Sequence, residues 1–333
     1  MVQTKAVVFT DVERTEIREL TMPDPGPGEV QVRTGYSVIS AGTEGWILKD
    51  TFTWVPTPYP CVSGYQRVGT ITAIGPDVTG WQVGDRVLAT IGQWDDAPAS
   101  WQGAHIAVAN TAVDEVWRIP DGVDDVDAAA GVVAQVGFNA ASRLSLDAGD
   151  WVLIFGDGLI GQLASQAARA RGARTILVGH RRERMALAAA HSADHVLDDR
   201  DERFLERVRS LTDSKPVAAV IDSVQSEALG VKYVDLLENG HGQIVYCGFT
   251  PGTAWADMGL LQQRELTTYF VSGWNRQRMD ATLALMAEGR LQFKPLVTHT
   301  VAADEAPSMY DMILKRSEPY LGIALDWNGE VAS

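Results

Sequence analysis

Trp151-Val152-Leu153-Ile154-Phe155, followed directly by Gly156-Asp157-Gly158-Leu159-Ile160-Gly161, is the most informative stretch of this 333-residue chain. The apolar run reads as a buried strand, and the glycines open a helical segment over Gln162 to Arg171 that ends near Arg171-Gly172-Ala173. Strand, glycine turn and helix are the setting in which a GxGxxG pattern has physical content. Gly156 permits the tight turn, Gly158 lets the backbone approach a pyrophosphate, and Gly161 allows the helix to pack close to the strand. Leu159 and Ile160 begin the helix, whose N-terminus offers free N–H groups and partial positive charge to phosphates. The expected ligand is therefore a dinucleotide, with a ligand-free glycine turn as the competing reading.

Working outward, the same alternation repeats on both sides. Apolar runs at Thr175–Val178, His195–Leu197, Val217–Ile221 and Gln243–Cys247 are separated by helical stretches, and an Ala-rich helix over Asp124–Leu146 leads into the series. Such alternation implies an α/β, doubly wound parallel sheet. The first third is different. Short β-branched runs at Lys5–Phe9, Val30–Thr34, Val68–Ile74, Arg86–Thr90 and His105–Val108 are broken by Gly and Pro, which argues for an antiparallel β-rich domain without long helices. The tail returns to strand-like text at Leu296–Thr300 and Leu321–Trp327, around a helix near Glu305–Lys315. The expected organisation is a first domain of residues 1–122 and 296–333 and a second of residues 123–295.

About 20 residues past the glycines, an NAD site usually places a carboxylate at the end of the second strand to bind the ribose hydroxyls. Here that strand end reads Gly179-His180-Arg181-Arg182-Glu183-Arg184. A small residue and three arginines stand there, and guanidinium groups suit a 2′-phosphate, so NADP(H) is favoured over NAD(H) with His180, Arg181 and Arg182 as its contacts. Two other readings stay open: a solvated arginine face, or Glu183 folded back to the ribose. Cys247 and Gly248, at the end of a later strand, complete the cofactor-binding candidates.

The formal charge of -15 disfavours nucleic acid and anionic membrane surfaces, and it requires any dinucleotide site to be locally basic. With 46% hydrophobic and 21% charged residues, the composition is that of a globular protein. Cys61 and Cys247 match no disulfide or zinc-cluster spacing, which favours a reducing, cytoplasmic location. No signal-peptide pattern and no apolar run of about 18 residues is present.

Several phrases occur in a telling order: Pro23-x-Pro25-Gly26-Pro27-Gly28-Glu29-Val30, Gly64-x-x-x-Val68-Gly69, Gly84-Asp85-Arg86-Val87, Ile119-Pro120-Asp121-Gly122, and then the glycine-rich turn. Together they resemble the medium-chain dehydrogenase/reductase superfamily over nearly the whole chain. The resemblance implies a GroES-like catalytic domain, a Rossmann cofactor domain, an active site in the cleft between them, and a homodimer. Ile39-Ser40-Ala41-Gly42-Thr43-Glu44, Tyr59-Pro60-x-x-x-Gly64-Tyr65-Gln66 and Leu325-Asp326-Trp327 look like the branch containing bacteriochlorophyllide a dehydrogenase, without establishing a chlorophyll substrate.

The departures from the zinc-dependent pattern matter most. The resemblance places Cys at Ser40, a Gly-His-Glu triplet at Gly64-Tyr65-Gln66, and a third ligand within Val133-Ala134-Gln135. Hydroxyls and amides do not replace thiolate, imidazole and carboxylate for Zn²⁺. A four-cysteine structural lobe would fall between Thr90 and Gly103, where no cysteine occurs, so no metal is expected.

In a metal-free site the resemblance makes Tyr65 the candidate polarising acid and Thr43 the proton relay, with Ser40 and Gln66 as further hydrogen-bonding groups. A tyrosine that only packs is the alternative. His105 reads as structural, and Glu44 as a buried partner of the glycine turn. Trp46, Trp54, Trp94 and Trp101 suit either a large flat substrate or satellite packing. The expected activity is zinc-independent hydride transfer between NADP(H) and a small-molecule secondary alcohol or ketone. Reduction of enones or quinones, and non-catalytic NADPH binding, are its alternatives.

Overall fold

The computed structural model describes residues 1–94, 97–226, 232–252 and 256–329. Residues 330–333 of the expected first domain, and residues 95 and 96 of the stretch considered for a zinc lobe, lie outside them. Two compact units form. One comprises Met1–Val132, Met279–Ala287 and the chain from Val297 onward; the other comprises Val133–Arg278 and Glu288–Leu296.

The first unit is built on strands β1 (Val2–Asp11), β2 (Arg14–Met22), β3 (Glu29–Ile39), β4 (Cys61–Val62), β5 (Arg67–Ile74), β6 (Arg86–Ala89), β7 (Ala99–Ser100), β8 (Val108–Ala112) and β9 (Val116–Arg118). The second contributes β10 (Trp151–Phe155), β11 (Arg174–Gly179), β12 (His195–Asp198), β13 (Ala219–Asp222), β14 (Gln243–Tyr246) and β15 (Thr267–Phe270); β16 (Val297–Ala302) and β17 (Gly322–Asp326) return to the first. The helices of the described residues are α1 (Ala41–Leu48), α2 (Asp125–Ala129), α3 (Gly131–Ser142), α4 (Leu159–Ala170), α5 (Arg182–Leu187), α6 (Phe204–Leu211), α7 (Met258–Gln263), α8 (Arg276–Ala287) and α9 (Ala306–Lys315).

In the first unit one sheet runs β2-β1-β4-β7 and another β16-β17-β3-β5-β6-β9, with β8 also on β3. Pairing is antiparallel apart from β4 with β7 and β16 with β17. A core of Phe9, Ile39, Leu48, Tyr310, Ile323, Leu325 and Trp327 is shared by N-terminal and C-terminal segments, because β17 pairs antiparallel with β3.

In the second unit the sheet order is β12-β11-β10-β13-β14-β15, with every pair parallel. This doubly wound order changes direction between β10 and β13, and ligands of such sheets bind outside the carboxyl ends at that point. The β-rich unit and the parallel α/β unit bear out the expected fold class. No helix among the described residues is long and apolar enough to cross a membrane.

Several local expectations change. The expected helix over Asp124–Leu146 is interrupted at Ala130 and resumes at Gly131, where a Cβ would stand 2.5 Å from Leu88 Cδ2. Close packing on β6 takes priority there over Ala-rich helix propensity. The strand expected at His105–Val108 begins instead at Val108, since His105 turns inward. Helix α1 was not expected from a segment with two glycines; burial of Ile47 and Leu48 holds it.

Gly69 shows how tightly the β3–β5 pair is closed: a Cβ there would lie 2.0 Å from the Arg33 carbonyl oxygen and 2.9 Å from Val32 Cγ1. Gly69→Ala is expected to cost about 2–4 kcal/mol, read as a lowered unfolding temperature by calorimetry. An unchanged transition would contradict the packing described.

Candidate functional site

The glycine-rich turn forms as its spacing requires. Gly156 sits at φ +116, in the region open to glycine, and a Cβ on Gly161 would fall 1.9 Å from the Gly156 carbonyl oxygen. Around Gly158 the space is open, with only the Arg184 guanidinium at 3.9 Å from a Cβ built there. Gly158 is also the N-cap of α4 and offers no side-chain cap, so the first N–H groups of the helix are left to an incoming anion. This cradle fits a dinucleotide diphosphate.

The strand-end loop is organised by a residue the sequence reading passed over. Asp157, only 1% exposed, accepts the backbone N–H of His180 at 3.0 Å and of Arg181 at 2.8 Å, and meets Arg181 Nη1 at 2.7 Å. Burial by itself would raise this carboxyl; the N–H donors and the guanidinium outweigh it and hold the group below the usual aspartate range. Gly179 makes the arrangement possible, because a Cβ there would lie 2.5 Å from that of Asp157. The paired signal, an acidic residue between the glycines and a glycine at the next strand end, was present in the sequence.

Around this pair the charges alternate. His180 Nδ1 lies 3.2 Å from Asp199, while Arg200 pairs with Asp198 at 2.7 Å and donates to the His180 carbonyl at 3.0 Å. Arg182 and Glu183 are exposed on the first turn of α5. Cys247 is buried, its N–H bonded to the Asp222 carbonyl at 3.0 Å, and a Cβ on Gly248 would lie 2.8 Å from the Ser223 carbonyl. Both therefore close the sheet end at β13 and β14.

The first unit carries the other candidate cluster. Glu44, in the first turn of α1, reaches back to the N–H of Ser40 at 2.8 Å. Its other oxygen meets His105 Nε2 at 2.8 Å and accepts the Tyr310 hydroxyl. His105 Nδ1 is 2.8 Å from Ser37 Oγ, which accepts the Trp327 indole N–H at 2.9 Å. Glu44, His105 and Ser37 are fully buried. The imidazole lies on the backbone of Gly64, where φ is +87 and a Cβ would come within 2.5 Å of the ring.

Tyr65 sits beside this network, 8% exposed. Desolvation, then the Glu44 carboxylate, push its phenol well above the ordinary tyrosine value, while hydrogen bonds with Ser40 and Thr43 pull partly back. Ser40 makes no side-chain cap to α1, which leaves its hydroxyl for Tyr65. The structure thus brings Ser40, Thr43 and Tyr65 together. Gln66 is used differently: its Nε2 donates to the Val38 carbonyl at 3.2 Å and its Oε1 accepts the Val132 N–H at 3.1 Å, clipping β3 to the start of α3.

No group of three or more His, Cys, Asp or Glu side chains among the described residues could hold a metal ion. Cys61 is buried in the apolar core, and burial pushes its thiol up to about 12. Gln135, buried, donates to the Gly273 carbonyl at 3.1 Å and accepts from Arg278 Nε at 3.0 Å. Of the tryptophans, Trp46 and Trp101 pack on the core of Phe9 and Tyr310 and Trp94 on a cluster of Val8, Met22, Val62 and Ile106, while Trp54 is 55% exposed and tilts against Phe52 at 4.8 Å.

Comparison with known proteins agrees with this architecture. Residues 26–121 match the alcohol dehydrogenase GroES-like domain family and residues 160–288 the zinc-binding dehydrogenase family. An alcohol dehydrogenase of Cupriavidus necator is 26% identical, covering 96% of this chain and 98% of that protein. The 2-desacetyl-2-hydroxyethyl bacteriochlorophyllide A dehydrogenase of Cereibacter sphaeroides is 29% identical, covering 98% of each. Among solved structures, a short chain alcohol dehydrogenase of E. coli CFT073 complexed with NADH superposes with a TM-score of 0.84, at 19% identity over 98% of this chain and 100% of that one. A zinc-binding dehydrogenase of Sinorhizobium meliloti 1021 bound to NADP gives 0.84 at 21% identity over 98% and 100%. These two likenesses show the fold. A GroES-like domain followed by this parallel-sheet domain is the arrangement of the medium-chain dehydrogenase/reductase superfamily, and the chain belongs to it as an oxidoreductase.

Proposed function

We propose that this oxidoreductase transfers a hydride between NADP(H) and a secondary alcohol or ketone, and does so without zinc. The observation that carries the reading is the hydroxyl cluster of Tyr65, Ser40 and Thr43 beside buried Glu44. When bound, the nicotinamide supplies or accepts the hydride. The chain's own part is to orient the substrate oxygen and stabilise charge that develops on it. Tyr65, kept protonated by burial and by Glu44, donates to that oxygen, and Thr43 and Ser40 pass a proton along their hydroxyls. Gln66, anchored to the backbone at Val38 and Val132, supports the cluster as a further hydrogen-bonding group.

Zinc independence rests on donor chemistry. Ser40, Tyr65 and Gln66 offer hydroxyls and an amide where the zinc-dependent pattern uses softer or charged ligands. NADP(H) preference rests on the strand end, where Asp157 fixes the Arg181 guanidinium beside the glycine-rich turn and no carboxylate stands on Gly179. A homodimer is supported by the edge position of β15 and its 76% exposed Phe270, stacked on Tyr246 at 5.2 Å. A cytoplasmic setting follows from two free, buried cysteines.

The test is single-turnover oxidation of NADPH with panels of ketones and enones, comparing the wild type with Tyr65→Phe. Ketone reduction is expected to fall about 10²–10³-fold in the variant. Because the Tyr65 phenol is raised, it stays neutral as pH climbs, so no alkaline limb assignable to it should appear below about pH 10. An unchanged ketone rate in Tyr65→Phe would sink the assignment. Turnover of enones alone favours C=C reduction, and tight NADPH binding without turnover favours a non-catalytic role.

Arg181→Gln supplies the cofactor test. Loss of a charge-assisted bond worth about 1.5–3 kcal/mol should raise the KM for NADPH about 10- to 100-fold and leave that for NADH nearly unaltered. Equal effects on both cofactors would contradict recognition of the 2′-phosphate by this residue.

A further inference from the structure

Three carboxylates meet at the end of β11, around the position where Gly179 leaves no side chain. Asp157 lies against Gly179, Asp198 is its partner across the β11–β12 pair, and the Asp199 N–H donates to the Gly179 carbonyl at 3.2 Å. Two of the three have a permanent cation. Arg181 Nη1 stands 2.7 Å from Asp157. Arg200 grips both oxygens of Asp198, with Nε at 3.0 Å and Nη2 at 2.7 Å, and so holds that carboxyl down at about 2. Guanidinium groups keep their charge at any ordinary pH, so these two pairs are fixed.

Asp199 is different. The Lys232 ammonium, at 3.1 Å, engages its backbone carbonyl rather than its carboxylate. Among the described residues the Asp199 side chain has one partner, His180 Nδ1 at 3.2 Å. His180 is held there by its own backbone: its N–H donates to Asp157 at 3.0 Å and its carbonyl accepts Arg200 at 3.0 Å, while the imidazole stays 44% exposed. Imidazole is the side chain whose charge ordinarily changes between about pH 5 and 8. The third carboxylate is therefore cancelled only while His180 carries a second proton.

The rest of the loop does not decide the balance. With Arg182, Glu183 and Arg184 of α5 added, guanidinium groups and carboxylates around the strand end are equal in number. One proton on His180 then tips the local charge toward an anion, against a chain whose formal charge is -15.

We propose that the His180–Asp199 pair makes recognition of the cofactor 2′-phosphate depend on pH. A protonated His180 cancels Asp199 and favours NADP(H); a neutral one leaves a carboxylate beside the phosphate and narrows the preference over NAD(H). This deepens, and rests on, the reading that the strand end takes NADP(H). It gives Asp199 a part opposite to that of Arg181, a repulsion that a single proton relieves. The sign follows from linkage. Phosphate binding and protonation of His180 favour each other by the same factor, so affinity for the phosphate is greater on the acid side of the imidazole's titration and declines on the alkaline side.

The experiment measures calorimetric Kd values for adenosine 2′,5′-bisphosphate and for 5′-AMP, which lacks the 2′-phosphate, at about pH 6.5 and about pH 8.5. It compares the wild type with His180→Asn and Asp199→Asn. The wild type should prefer the bisphosphate about three- to fivefold more strongly at the lower pH. His180→Asn should show the weaker preference at both pH values, whereas Asp199→Asn should show the stronger preference already at the higher one. A pair with only a structural role would weaken both variants in the same direction. Protonation of the phosphate itself, near pH 6, weakens binding at the acid end in all three proteins and does not mimic the effect. The ratio of KM values for NADH and NADPH should follow the same order. Equal pH dependence in the wild type and His180→Asn would overturn the proposal and leave the cofactor reading standing. A wild type that prefers the bisphosphate at neither pH would overturn the cofactor reading, and this proposal with it.

Discussion

The candidate active site depends on one buried charge. Glu44 is fully enclosed, and an enclosed carboxylate is tolerable only when its oxygens are hydrogen-bonded. Its partners come from distant parts of the chain: the Ser40 N–H at the start of α1, His105 ahead of β8, and Tyr310 on α9. Through His105 and Ser37 the network extends to Trp327, past the end of β17. Removing one partner of such a buried charge costs about 3–5 kcal/mol, so the network adds to the strand pairing and apolar packing that hold the C-terminal segment on β3. The chemical consequence is as important as the mechanical one. Burial first, and then the carboxylate beside them, raise the phenols of Tyr65 and Tyr310 above the ordinary tyrosine value, so both keep their protons.

The parallel-sheet unit applies the same principle at its own site. Asp157 is a buried carboxylate inside the glycine-rich turn, compensated by two backbone N–H groups and a guanidinium from the following strand end. There the depressed carboxyl stays ionised and anchors Arg181, and with it the basic loop proposed to read the 2′-phosphate. In both units a buried acidic side chain organises the groups proposed to face the ligand. That economy suits a chain with excess negative charge, in which each basic side chain near a ligand must be held in place against many competing carboxylates.

Much of this was legible in the residues. The glycine spacing between an apolar strand and a helix identified the dinucleotide-type turn, because those glycines are demanded by close backbone contacts that tolerate no Cβ. The parallel sheet followed from alternation, and the return of the C-terminus from the strand-like text around Leu321–Trp327. Most of what was hidden has one cause, long-range partnership. Glu44 and His105 are separated by 61 positions, so nothing local marks them as a pair. Asp157 meets Arg181 across 24 positions, and the break at Gly131 answers to Leu88. Gln66, read from the motif as a hydrogen-bonding group, meets backbone at both ends of its amide, with partners 28 and 66 positions away. The β15 edge was missed because Thr267–Phe270 is short and half exposed, with little periodic signal.

The central claim is that hydroxyls around Glu44 replace a metal in this member of a superfamily in which zinc sites are frequent. The most direct measurement is elemental analysis of the purified protein, read together with NADPH-dependent ketone turnover before and after prolonged chelation. The account predicts full turnover with far less than one zinc per chain and no loss on chelation. Stoichiometric zinc, with activity that disappears on its removal and returns on its addition, would contradict it.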